Sequence, residues 1–95
     1  MSRPRTSKPR SHRHAALGEA IESVIAENVG MTQEKVADDG DLAVEQVGSY
    51  ARGLGNPTYA TLLKLCKGLH VSLGALMSKA DELYDRASKA GDTPI

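Results

Sequence analysis

The chain has 95 residues, which is enough for one small domain, and 40% of them are hydrophobic. It contains three Tyr but no Phe or Trp, so its core must be aliphatic, and little material remains for the walls of a catalytic or cofactor cleft. A single Cys excludes an intrachain disulfide, and no apolar run approaches the ~20 residues of a membrane helix.

The charges cancel over the whole chain but are unevenly distributed. Residues 1–14 carry +5 with no acid, whereas residues 15–95 carry −5. The first 14 residues have no large apolar side chain after Met1, so we predict a disordered basic arm and no secretory signal, in a cytoplasmic protein. Such an arm attracts a polyanion; the alternative is a solvated leader with no partner. Its basic residues are Arg3, Arg5, Lys8, Arg10 and Arg13.

Helical periodicity begins at Ala15, and residues 15–90 predict a domain of five helices without a strand. The predicted helices are 15–29, 33–39, 44–52, 59–69 and 73–89, and residues 91–95 are predicted to be a flexible tail. Gly30 ends the first helix, Thr32 caps the second, and Gly40-Asp41 forms the turn before the third. Thr58 and Ser72 cap the last two helices. The fold class is therefore all-α, a compact helical domain.

Residues 32–52 predict a short helix, a tight turn and a second short helix that projects from the domain. Over about residues 16–78 the sequence resembles the Cro and phage-repressor (XRE-like) class of helix-turn-helix DNA-binding domains. The resemblance runs without a gap through Gln33-Glu34-x-Val36-Ala37, Leu42, Val47, Tyr50, Arg52-Gly53, Asn56-Pro57-Thr58, Leu62-Leu63-x-Leu65, Leu69 and Val71-Ser72-Leu73.

The resemblance implies a role for particular positions. The reading helix, 44–52, would contact base edges in the major groove through Val44, Glu45, Gln46 and Ser49. Contacts to backbone phosphates would come from Gln33, Arg52 and Asn56. The implied function is that of a sequence-specific, repressor-like transcription regulator of double-stranded DNA.

The chain departs from this family at the turn and in the reading helix. The turn usually reads Ala-Gly where this chain has Gly40-Asp41, and the usual Ser or Thr cap is replaced by Ala43. Asp41 could cap the helix instead. Gly48 inside the reading helix costs about 0.5–1 kcal/mol relative to Ala, which close packing against the preceding helix would explain.

An apolar stripe on the fifth helix extends beyond the part that the family core needs. We predict that it forms a homodimer interface, and the alternative is that it folds back on the first helix. The stripe consists of Ala80, Leu83, Tyr84 and Ala87.

Other functions have less support in the sequence. His12-x-His14 lacks the third and fourth ligands of a metal site, and Cys66 lies on an inner helical stripe, where packing is expected rather than reactivity. His70 falls in a predicted solvated link. No nucleophile with a base is recognisable, so we expect neither an enzyme nor a cofactor. The acidic domain and Glu45 leave a second hypothesis, a protein-interaction module such as an antitoxin or accessory subunit, with a protein partner and weak DNA binding.

Overall fold

The computed structural model describes residues 8–89, and within them the chain forms five helices and no strand. The helices are α1 (His12–Glu27), α2 (Gln33–Gly40), α3 (Val44–Ala51), α4 (Tyr59–Leu69) and α5 (Leu73–Lys89). The predicted all-α fold is confirmed, and four of the five helices agree with the predicted bounds to within one residue. Arg3 and Arg5 of the predicted arm and the predicted tail at 91–95 lie outside the described residues.

Helix α1 differs from the prediction at both ends. It begins at His12 rather than residue 15, because the Ser11 hydroxyl accepts a hydrogen bond from the His14 backbone N–H at 3.1 Å and caps the first turn. It ends at Glu27 rather than residue 29, because the side-chain amide of Asn28 donates to the Val24 carbonyl at 2.6 Å and satisfies that helix terminus. The arm predicted for residues 1–14 is therefore helical from His12 onward.

The core is aliphatic, as the composition predicts, and it lies where all five helices meet. Helix α1 packs along α5, α2 packs on α4, and α3 packs against α1 and α2. The largest fully buried side chains are Ile21, Val36, Val47, Leu65, Leu69 and Leu76.

Two glycines bring α2 and α4 into direct backbone contact. A Cβ atom on Gly40 would collide with the Lys64 carbonyl, and one on Gly68 would collide with the Val36 carbonyl. Gly40 lies inside α2, at the position where the family usually has Ala, and the close approach of α4 accounts for this glycine. The left-handed residue of the turn is Asp41, with φ 59° and ψ 50°, at the position where the family usually has Gly.

Among residues 8–89, none of the helices has by itself the length and apolarity to cross a membrane; α4 and α5 reach them only together, across a 95° bend.

Candidate nucleic-acid interface

Helices α2 and α3 form a helix-turn-helix unit with its second helix on the surface. After Asp41 the Leu42 backbone N–H donates to the Ala37 carbonyl at 2.8 Å, which closes the turn and tucks Leu42 against the core. Helix α3 buries Val47 and Gly48 against its neighbours. The opposite side of α3 is uncovered within the described part of the chain, so this helix can enter a groove.

The side chains of Gln33 and Arg52 converge over Gly48. A Cβ atom added to Gly48 would lie 3.3 Å from Oε1 of Gln33 and 3.4 Å from a terminal guanidinium nitrogen of Arg52. The Gln33 amide also donates to the Glu22 carboxylate on α1 at 3.2 Å. Glycine at 48 thus leaves room for two side chains that the resemblance assigns to phosphates, and no backbone atom of the preceding helix lies within 4 Å of a Cβ at this position.

The four residues implied to read bases are not equivalent in the structure. Glu45 and Gln46 are exposed, Ser49 is half-buried, and Val44 is half-buried with its side chain against the core. Val44 therefore presents less surface to a ligand than its position in the motif implies, because the first turn of α3 leans on the core. Glu45 and Gln46 form the accessible part of the reading surface.

Gln46 has a second role that the sequence reading missed. Its Oε1 accepts a hydrogen bond from the Ala43 backbone N–H at 3.1 Å, which is one half of a capping box. The other half is missing, because Ala43 has no hydroxyl that could accept from the Gln46 backbone N–H. Asp41 does not cap α3, because its left-handed conformation closes α2 instead. The signal was available in the sequence, since Gln at the third helical position is half of a capping box.

Asn56 lies in the loop between α3 and α4, beside the start of α1. Its Oδ1 is 3.2 Å from Nε2 of His14, and the Arg10 backbone N–H donates to the Gly53 carbonyl in the same loop at 2.9 Å. The side chains of Lys8, Arg10 and Arg52 are exposed around this loop. The described part of the predicted arm therefore packs on the domain near the end of α3.

Arg13 of the predicted arm makes its contacts with α5. It belongs to the first turn of α1, where its guanidinium pairs with the Asp81 carboxylate at 3.0 Å and lies over the Tyr84 ring at 3.6 Å. Both partners are on α5. The structure thus gives Arg13 an intramolecular role, because the helix starts early enough to aim this side chain at α5.

The apolar stripe of α5 is partly used inside the monomer. Ala80 is only 9% exposed and Leu83 is half-buried against the core, so the monomer itself covers much of these two side chains. Tyr84 and Ala87 remain half-exposed. Arg13, in the first turn of α1, covers part of the Tyr84 ring.

The exposed large apolar side chains of the described residues lie elsewhere: Val29, in the link after α1, is fully exposed, and the other two lie on α4. Tyr59 and Leu63, one turn apart on α4, are 67% and 43% exposed. Sequence reasoning missed this pair, although its spacing places it away from the inner stripe of α4 that contains Leu65 and Leu69.

The cysteine and the histidines form no reactive or metal-ligating cluster within the described residues. Cys66 is buried in the core, as predicted, and its burial raises the pKa of the thiol. His70 is exposed and caps α4 in a left-handed conformation, 3.2 Å from the Asp39 carboxylate.

Comparison with known proteins identifies this arrangement. A family model described as helix-turn-helix matches residues 25–76, more than half of the chain, and no curated protein shows a significant match. Among solved structures, the restriction-modification controller protein C.Esp1396I superposes with a TM-score of 0.72 at 25% identity, covering 81% of this chain and 99% of its own.

Two further structures extend the comparison. C.Esp1396I bound to a 19-base-pair DNA duplex matches with a TM-score of 0.67 at 25% identity, over 75% of this chain and 93% of that one. The clp gene regulator ClgR from Corynebacterium glutamicum, at 22% identity and a TM-score of 0.70 over 82% and 83% of the two chains, shares the fold. The chain belongs to the Cro/C1-type helix-turn-helix family.

Proposed function

We propose that this protein, a DNA-binding transcription regulator, recognises its sites by inserting α3 into the major groove. The observation that carries the proposal is the convergence of Gln33 and Arg52 over Gly48, on a helix whose other side is uncovered within residues 8–89. Two phosphate-binding side chains beside a groove-sized helix fix its register on a duplex. The structure of C.Esp1396I bound to a DNA duplex supports double-stranded DNA as the ligand.

Base recognition in this proposal depends on the exposed side of α3. Glu45 can accept a hydrogen bond from cytosine N4, and Ser49 can bond to several base edges. Gln46 can donate from its amide nitrogen while Oε1 keeps the cap on Ala43, or it can bind adenine with both groups after releasing that cap. Val44 contributes apolar contact, for example with a thymine methyl group, through the part of its side chain that the core leaves free.

Phosphate contacts surround this reading surface. Gln33 lies at the amino end of α2, where the helix dipole favours an anion, and Asn56 lies in the loop after α3. Lys8 and Arg10 are held beside that loop by the Arg10–Gly53 hydrogen bond. We extend the proposal to Arg3 and Arg5, which precede this anchored segment, because residues 15–95 alone carry −5 and would repel DNA.

We further propose that the regulator acts as a homodimer, so that two copies of α3 meet successive turns of a palindromic site about 34 Å apart. A 19-base-pair duplex, as bound by C.Esp1396I, has room for two such half-sites. Because Ala80 and Leu83 are occupied within the monomer, the interface is centred on Tyr59 and Leu63 of α4. Tyr84 and Ala87 contribute their half-exposed faces.

The acidic charge of residues 15–95 and the exposure of Glu45 favour a second candidate, a module that binds another protein through α3. Selection of bound duplexes from a random pool distinguishes the two. A regulator enriches one sequence, whereas a protein-binding module enriches none.

Gln46→Ala then tests the reading surface on the enriched duplex. We expect it to cost roughly 1–3 kcal/mol of binding there and less on random DNA. An equal loss on both duplexes would remove Gln46 from base recognition, and the absence of any enriched sequence would favour the second candidate.

A further inference from the structure

The start of α1 is fastened to the loop between α3 and α4 at two points. The Arg10 backbone N–H donates to the Gly53 carbonyl at 2.9 Å, and the ring of His14, three residues after the Ser11 cap, reaches Asn56. These contacts join chain segments more than 40 residues apart. Nothing in the aliphatic core requires a ring at position 14, which lies half-buried at the surface.

The hydrogen bonds around His14 define which ring nitrogen carries the proton. The Ser11 Oγ lies 2.8 Å from Nδ1 and at the same time accepts from the His14 backbone N–H at 3.1 Å. The Ser11 hydroxyl can donate its proton to Nδ1, and because Oδ1 of Asn56 can only accept, the contact at Nε2 requires the ring proton to lie on Nε2. Nε2–H then donates to Oδ1 of Asn56 across 3.2 Å.

This bond decides which end of the Asn56 side chain faces outward. An asparagine amide can present its oxygen or its nitrogen, but phosphate oxygens only accept hydrogen bonds. With Oδ1 engaged by His14, the amide nitrogen is the group left to present to a ligand. We propose that His14 is a positioning residue of the DNA interface, which holds Asn56 with its donor toward the phosphate backbone.

The inference rests on the proposed function, in which Asn56 contacts a phosphate. It differs from a charge effect, because neutral His14 performs the same task. The bond to Asn56 needs only a donor at this position, so His14→Gln, whose amide donates without a charge, separates the two effects. It also differs from a purely structural role, because the loss on removing His14 must depend on whether Asn56 is present.

The experiment is a double-mutant cycle of His14→Ala and Asn56→Ala in the full chain. Affinity is measured on a random-sequence duplex of roughly 21 base pairs, two turns of DNA, since a phosphate contact does not depend on sequence. Each single variant is expected to weaken binding roughly threefold to tenfold, the effect of one hydrogen bond, and the double variant no more than Asn56→Ala alone. His14→Gln, whose amide also donates, should recover part of the affinity, and His70→Ala, at the far end of α4, is the control.

The outcomes separate the inference from the proposed function. The positioning role is overturned, while DNA binding stands, if the losses of affinity in the two single variants add in the double variant. It is also overturned if Asn56→Ala lowers the affinity and His14→Ala does not, or if Asn56→Ala leaves the affinity unchanged. Failure of the unmodified protein to bind the duplex overturns both. Circular dichroism verifies folding, and if His14→Ala does not fold, the cycle is run with His14→Leu, with the same expectations.

Discussion

The guanidinium carbon of Arg13 lies 3.6 Å from the centre of the Tyr84 ring. The same guanidinium pairs with Asp81 at 3.0 Å, one turn earlier on α5. Arg13 thus fastens the first turn of α1 to the later half of α5 and covers part of a surface that the sequence left open for a partner. The charge of Arg13 is therefore paired with an acid of the same chain, whereas Lys8 and Arg10 form no ion pair within residues 8–89.

Arg13→Ala is expected to lower the free energy of unfolding by about 0.5–1 kcal/mol, the value of an exposed cation–π contact. The ion pair adds little, because its side chains are 56% and 72% exposed. Thermal unfolding measures the loss, and the salt dependence of DNA binding should not change. The matched variant Arg10→Ala should instead lower the slope of log K for DNA against log salt by about 1 and leave the free energy of unfolding unchanged. A lower slope of log K against log salt in Arg13→Ala would mean that Arg13 does contact phosphates.

Gly48→Ala is expected to separate stability from DNA binding. Alanine favours the helix by about 0.5–1 kcal/mol, and its Cβ meets only the ends of two flexible side chains, Gln33 and Arg52. These can move aside, so the free energy of unfolding should rise while affinity for DNA falls. Urea unfolding and duplex titration measure the two effects. Unchanged affinity would show that neither displaced side chain contacts phosphate.

The pair between Glu27 and Lys79 predicts a dependence of stability on pH. The Lys79 ammonium, 2.9 Å away, donates a hydrogen bond that lowers the pKa of the Glu27 carboxyl from its usual value of 4.5, and its charge acts in the same direction. A lowered pKa in the folded state means that the stabilisation is present above pH 4.5 and is lost as the pH falls through the folded value.

Glu27→Gln removes this contribution. Its midpoint of thermal unfolding should lie slightly below that of the unmodified protein at pH 7, by a small amount because the carboxyl is exposed. The difference in midpoint should narrow below pH 4.5 and disappear when the Glu27 carboxyl is neutral in the folded and the unfolded state. Glu19→Gln, on the same helix, serves as the control. A difference that is constant with pH would mean that the pair is not the cause.

The proposed dimer predicts that charge on the outer side of α4 produces a monomer. Tyr59→Lys with Leu63→Lys should leave the helical fold intact, because both side chains are exposed, and should weaken binding to a palindromic duplex. Sedimentation at tens of micromolar gives the oligomeric state, and Ala87→Lys tests whether α5 shares the interface. If the unmodified protein sediments as a monomer under these conditions, the homodimer proposal is wrong.

The sequence alone determined the fold class and the positions of four helices, because apolar spacing, capping Thr and Ser residues and chain-breaking glycines are local signals. It also placed the turn and the reading helix, since the motif has a fixed register along the chain. The start of α1 was misplaced because its signal is a capping hydroxyl on Ser11, which precedes the first apolar residue.

The tertiary structure decided which side chains are free. Arg13 could face DNA or α5, and Ala80 could face a second copy or α1; contacts with residues distant in the chain decide both. Gln46 could cap α3 or contact a base, and the local geometry at the start of α3 decides between the two. Sequence periodicity reports the side of a helix on which a residue lies, but not what packs against that side. The contact of His14 with Asn56 could not be predicted for the same reason, because the two residues meet only when the start of α1 packs against the loop after α3.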